Sequence, residues 1–322
     1  MTRQPRQRRT RTPQRGRAIT VADLVRSLAG RFERARLVYG HGTDNALDEA
    51  AALVFHALRL EHADAPAVYA SEVSASGQRR VESLAQRRIG ERLPAAYLMK
   101  RMWFAGLEFD VDERVLVPRS PIAELIEHRF APWIDAARVR GILDIGTGSG
   151  CIAVASAVAF PRARVDAVDV SRPALAVARG NIRRYALTRR VHAIESDHFN
   201  ALRGRRYDII VSNPPYVGAS EMRSLPAEYR HEPWLALASG RDGLDSVRVI
   251  LRQSARHLRE EGILVVEVGN SQRALEAAFP GVPFTWLSFE RGGGGVFVLL
   301  REQLEAHFPR DPATNQRSEA QT

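Results

Sequence analysis

A single cysteine, Cys151, is all the thiol chemistry in this chain of 322 residues. That excludes a disulfide framework and any metal site built on cysteine ligands. The nine histidines are scattered, without metal-ligand spacing. No stretch approaches the ~20 apolar residues that a membrane-crossing helix needs. The basic N-terminus is not followed by the apolar core of a secretory signal. With an ordinary apolar content of 45%, these absences point to a soluble cytoplasmic protein that neither spans nor needs a membrane. The length suggests two domains.

Acidic residues are missing from one place in particular. Residues 1–18 hold seven arginines and no acid, and they account for most of the net charge of +10; without them the value is +3. The folded body is therefore expected to be only mildly basic. Gln, Thr and Pro between the arginines predict a disordered basic tail. It either contacts RNA or is simply solvated. The polar stretch 309–322 is expected to be a second flexible tail.

Between the tails the pattern changes twice. Thr20 precedes a run with helical spacing (Leu24, Leu28, Phe32), Asp44 or Asn45 precedes another, and a third helical stretch covers about 78–91. Residues 19–100 therefore read as a small helical domain without a chemical constellation of its own, suited to recognising a substrate. In 101–118, alternating apolar residues around the charged Asp112-Glu113-Arg114 predict a β-hairpin linker. From 119 to 308, strands alternate with helices: 141–145, 164–170, 191–195, 207–212 and 262–268, then 284–289 and 296–300 joined by a glycine-rich loop. Five alternating strands imply a parallel sheet, and the closing pair an antiparallel hairpin. The expected fold class is α/β, a Rossmann-like, mostly parallel seven-stranded sheet with a terminal antiparallel hairpin. That is the class I S-adenosylmethionine-dependent methyltransferase pattern.

The candidate ligand end supports it. The first strand runs into DIGTGSG, with Asp144, Gly146, Thr147, Gly148 and Gly150. Glycines there let the backbone approach a ligand. An acid before them poorly suits a pyrophosphate but suits S-adenosylmethionine, which carries a sulfonium and an ammonium. Asp169 ends the second strand, where a carboxylate can accept ribose hydroxyls. Asp197 follows the third, within reach of an adenine. Cys151 reads as a packing residue.

The fourth strand ends in SNPPYV, residues 212–217. One proline would end a strand; the asparagine needs another reason. An exocyclic or amide nitrogen is a poor nucleophile because its lone pair is delocalised. The Asn213 side-chain oxygen and the Pro214 carbonyl can accept from such an NH₂ group and aim it. Pro214 and Pro215 fix the carbonyl direction, and Tyr216 can pack on a flat amide. Asn213 thus stands at both the donor site and the catalytic site.

NPPY together with WFAGLEFDVDERVLVPRSPI and HEPWLALASGRDGLD resembles the glutamine side-chain-amide methyltransferases, over about residues 19–302. The second segment is closest to the branch that acts on ribosomal protein L-three of the large subunit. The resemblance implies that substrate and a pocket shaped by Glu232 and Pro233; because a glutamine packed on RNA in a finished ribosome would be covered, the substrate is expected free or in an assembly intermediate. Release-factor glutamine methylation and adenine methylation of nucleic acid are the alternatives. The mild charge of the body and the lack of a target-recognition insert weigh against the second.

Overall fold

The computed structural model describes residues 18–61 and 65–309. Apart from Ala18 and Pro309, the two expected tails lie outside the described residues.

Two compact units are present. Among the described residues, one comprises 18–37, 45–61 and 65–91; the other comprises 38–44 and 92–309. The first unit is built on the helices Val21–Arg34, Ala46–Leu58 and Ala75–Gly90. The Thr20 hydroxyl caps the first, accepting from the Asp23 N–H, and Asp23 reaches back to the Thr20 N–H. Such a reciprocal cap satisfies two donors that a helix start leaves open. Asn45 caps the second helix through Oδ1 and the Asp48 N–H, 2.9 Å. Val25, Leu28, Phe32, Leu53, Phe55 and Val81 form the buried faces. Within this core the fully buried Arg88 donates to Glu49 at 2.7 Å.

The second unit takes in two stretches that the sequence assigns to the helical domain, 38–44 and 92–100. Their partners explain this. The Val38 N–H donates to Glu228 at 3.1 Å, and His41 packs at a tilt against Tyr229 with ring centroids 4.5 Å apart. The helix Ala95–Met99 runs directly into strand β1 (Arg101–Phe104), which pairs with β2 (Leu107–Asp110). The hairpin turn is Ala105-Gly106, not the charged Asp112–Arg114. Both turn residues have positive φ, 47° and 72°, and a two-residue hairpin loop of this kind matches the twist of its strands. Asp112 and Arg114 instead form a separate turn, closed by their own ion pair and the Arg114 N–H.

The main sheet contains β3 (Gly141–Ile145), β4 (Arg164–Asp169), β5 (Val191–Glu195), β6 (Tyr207–Ser212), β7 (Leu258–Glu267), β8 (Thr285–Trp286) and β9 (Val296–Leu300). Its order is β5-β4-β3-β6-β7-β9-β8, with β3 to β7 parallel and the last two pairings antiparallel. This is the class I methyltransferase topology. β3 is buried at every position because helices cover both faces. β7 starts four residues earlier than its glycine suggests. Leu258 pairs with Tyr207, and the register shifts before Ile209 pairs with Ile263. Glu261, at φ 58°, supplies the left-handed residue of that irregularity. β8 keeps only two of its six expected residues. Among the described residues no helix is long and apolar enough to cross a membrane.

Candidate active site

The strand order places β3 beside both β4 and β6, so their three carboxyl ends meet. In the register Ile145 stands opposite Ser212, and the Ser212 hydroxyl donates to the Ile145 carbonyl at 2.7 Å. The glycine loop therefore begins beside NPPY. A methyl group on Gly146 would lie 3.9 Å from the Asn213 carbonyl oxygen and the Pro214 Cα. Here a cavity of about 630 Å³ opens, walled by Gly146, Gly148, Asp169, Asp197, Asn213, Pro214 and Pro215. Arg114 to Leu116, Leu235, Ala236 and Ala238 to Gly240 contribute to the wall on either side.

Gly148 has φ 53° and nothing within 4 Å of an added Cβ, so its bare backbone faces open space. Its N–H donates to Asp169 Oδ2 at 2.9 Å, while Asp169 Oδ1 accepts from the Ser171 N–H at 2.8 Å. Burial raises the Asp169 pKa, and these two N–H groups oppose the rise. Each oxygen keeps a lone pair for a further donor. Asp197 is exposed and pairs with His198 Nδ1 at 2.6 Å; His198 Nε2 lies 2.7 Å from the Ser246 hydroxyl. Asn213 Oδ1 is buried on the cavity wall, and no donor among the described residues reaches it. A buried acceptor without a donor is costly, so this atom is suited to an incoming N–H.

Four sequence candidates stand behind the wall instead of on it. Asp144 is fully buried. Its Oδ2 accepts from the Thr147 hydroxyl at 2.6 Å and the Ala153 N–H at 3.1 Å. It ties the glycine loop to the helix Cys151–Ala159, and burial pushes its pKa up to about 7. Thr147 is the donor in that tie. An added methyl at Gly150, φ 80°, would press within 3.2 Å of Ala178, so this glycine serves helix packing. Tyr216 turns away from the cavity. Its ring lies against Gly269, its hydroxyl donates to Glu267 at 3.1 Å, and its carbonyl accepts from Ser271 at 2.7 Å. Cys151 is buried, with its thiol pushed up to about 12.

A buried polar cluster, which spacing alone does not reveal, supports NPPY from behind. Arg119 donates to both Glu232 oxygens at 2.6 Å and lies 5.2 Å from the Tyr229 ring centroid. The Val117 N–H donates to Glu232 at 3.0 Å, and His41 Nε2 is 3.5 Å away. Burial alone would raise the Glu232 pKa, but His41 and Arg119 bring it down to about 2. Glu267, the last residue of β7, accepts from Ser120 at 2.5 Å and Tyr216; burial pushes it up to about 7. The 231–245 stretch is bound to the motif by backbone pairing, Val217 N–H to Leu237 O and Ser239 N–H to Val217 O. Pro233 reaches the cavity wall; Glu232 stays behind it. Among the described residues no group of His, Cys, Asp and Glu is placed to hold a metal ion.

Known proteins with this chain's pattern carry the same chemistry in their names. A family model described as "Methyltransferase small domain" matches residues 128–227. A protein of Xanthomonas campestris pv. campestris, "Ribosomal protein uL3 glutamine methyltransferase", is 48% identical over 90% of this chain and 94% of its own. Relatives with the same name from Bordetella pertussis and Neisseria meningitidis are each 48% identical over 88% of this chain, and over 96% and 94% of theirs. The chain belongs to the ribosomal protein uL3 glutamine methyltransferase family. The enzyme is thus an S-adenosylmethionine-dependent methyltransferase, and the cavity at the carboxyl ends of β3, β4 and β6 fits that donor. It combines a bare-backbone loop, a half-buried carboxylate with spare lone pairs and an uncommitted acceptor.

Proposed function

We propose that the enzyme methylates the side-chain amide nitrogen of a glutamine in ribosomal protein uL3, and that Asp169, Gly146, Gly148 and Asp197 hold the methyl donor. S-adenosylmethionine, when bound, supplies the electrophilic methyl. The observation that carries the reading is the unpartnered Asn213 Oδ1 on the cavity wall, one residue past the strand that lies beside the glycine loop. Asn213 and the Pro214 carbonyl accept the two N–H bonds of the glutamine amide and present its nitrogen toward the donor. Acceptors fixed before reaction stabilise positive charge that develops on nitrogen as the N–C bond forms. One N–H proton is then released to solvent, because the alkylated nitrogen is strongly acidic. Asp144, Thr147 and Gly150 shape the loop, and Tyr216 with Glu267 keeps the motif rigid.

The substrate reading rests on the relatives' names and on the 231–245 stretch bound to NPPY. The helical unit is assigned to gripping the substrate body, since remote binding energy helps to position a reacting group. The natural substrate is uL3 free in the cytoplasm or in an assembly intermediate, where the glutamine side chain is accessible. The arginine-rich residues 1–18 would add a salt-sensitive contact to RNA on such particles. The test is methyl incorporation from labelled donor into free uL3, a release factor, RNA and mature large subunits at equal concentration. Fastest labelling of free uL3 is expected. Labelling of the release factor or of RNA would overturn the substrate, and fastest labelling of mature subunits would overturn the access argument.

A further inference from the structure

Strands β3 to β7 are parallel, so their amino ends share the edge of the sheet opposite the methyl-donor cavity. The chain entering those strands is dense in one residue type. Arg138 and Arg140 precede β3, and Arg162 and Arg164 meet β4. Arg189 and Arg190 precede β5, and Arg203, Arg205 and Arg206 precede β6. Arg256 and Arg259 flank the start of β7. All but Arg190 are exposed. The edge is contiguous: Arg259 donates to Asp208 at 2.7 Å, and the same Asp208 oxygen accepts from the Arg140 and Gly141 N–H groups.

Part of this charge is spent internally. Arg138 pairs with Glu261, Arg205 with Asp166 and Arg259 with Asp208. Arg140 and Arg190 donate to backbone carbonyls. Six remain: Arg162, Arg164, Arg189, Arg203, Arg206 and Arg256. Among the described residues none of these six has a carboxylate within ion-pair distance. The loops at the opposite edge (146–150, 170–173, 196–200 and 213–218) hold one arginine, Arg172, and Glu195 neutralises it. The modest net charge of the folded body therefore conceals a polar distribution across the sheet.

Beside the row lies a cleft of about 620 Å³, lined by Trp133, Arg138, Arg206 and Arg259. Its acids Asp208 and Glu261 are already paired, and Asp135 and Glu260 are the remaining ones. We propose that this edge and cleft form an RNA-docking surface that binds a single-stranded segment, with the arginine row on its phosphates and a base in the cleft against Trp133. Three features favour RNA over an acidic protein or an anionic membrane. Guanidinium groups match phosphate oxygens in pairs. Five strands at ~4.8 Å spacing make a row of ~19 Å, long enough to follow several successive phosphates of one strand. An indole among arginines is the usual stacking platform for an unpaired base. The cavity at the other edge is left free, so an enzyme docked on RNA can still present its methyl-transfer site to protein.

The test uses the full-length chain, so that residues 1–17 contribute equally throughout. A fluorescein-labelled oligouridylate is titrated at stepped salt concentrations against wild type, Trp133→Ala, Trp133→Phe and the triple variant Arg189→Ala/Arg203→Ala/Arg206→Ala. Each lost phosphate contact lowers the slope of log affinity against log salt by ~0.7, so the triple variant should lose about 2 from its slope. Trp133→Ala should weaken RNA about tenfold, leave heparin binding unchanged, and be rescued by Trp133→Phe. RNA binding is read without methyl donor, so the outcome is independent of the substrate assigned above. An unchanged slope in the triple variant would overturn the surface. Equal binding of RNA and heparin by Trp133→Ala and wild type, or tighter binding to phosphatidylserine vesicles than to RNA, would overturn RNA as its occupant.

Discussion

At the scale of single residues, the proposed reaction gives Asn213 and Asp169 different tasks, and substitution should separate the two. Asn213→Ala removes an acceptor that no other described residue uses. Methyl transfer should fall by about 3–4 kcal/mol of barrier, or some hundreds-fold, while calorimetry finds donor affinity nearly unchanged. A large loss of donor affinity would make Asn213 structural. Asp169→Ala should do the opposite. Donor affinity drops about tenfold or more, since charge-assisted hydrogen bonds are worth ~1.5–3 kcal/mol, and saturating donor restores much of the rate. The sequence singles out both residues because each sits just where a strand gives way to a loop, and both line the cavity. Asp144 invites a ligand-contact reading for the same reason. A strand sends alternate side chains to opposite faces, and it is Ile145 that reaches the cavity, leaving Asp144 to bind Thr147 and Ala153. Glu267 and His41 carry no motif and became visible only when three distant segments were brought together.

At the scale of elements, the glycine loop contains positions with different duties. Gly148→Ala meets no atom, so its structural cost is the left-handed strain, roughly 1–2 kcal/mol. Its methyl projects into the cavity, and donor affinity should suffer more than melting temperature. Gly150→Ala adds a contact of 3.2 Å with Ala178 on the helix Arg172–Arg184. There the melting temperature should fall further. A thermal shift assay paired with donor titration distinguishes them, and equal behaviour would refute the division. The parallel strands were legible because each is a short β-branched run bounded by turn residues. The linker hairpin was misplaced because Asp112-Glu113-Arg114 has turn chemistry, whereas Ala105-Gly106 places an alanine at positive φ, which composition does not announce.

At the scale of the whole molecule, stability should depend on pH in two opposed limbs. Glu232 is ionised down to about 2 in the folded state against a usual 4.5, so it contributes stability above pH ~4.5 that is lost as pH falls toward 2. Asp144 and Glu267 hold their protons to about 7, against 3.8 and 4.5. Between those values the folded state binds more protons than the unfolded, so their contribution is full at low pH and lost as pH rises through about 7. Glu267→Gln should narrow the difference in melting temperature between pH 5 and pH 8; an unaltered difference would mean that Glu267 ionises freely. The division of the chain has a further consequence for synthesis. Val38–Asp44 leaves the ribosome early, yet its partners Glu228, Tyr229 and Glu232 follow some 190 residues later. The helical unit can close while translation proceeds, but the larger unit must wait for its own first segment to be met. During that interval His41 and the backbone around it lack the partners that bury them in the finished fold. The division also means that no single cut yields an intact transferase body.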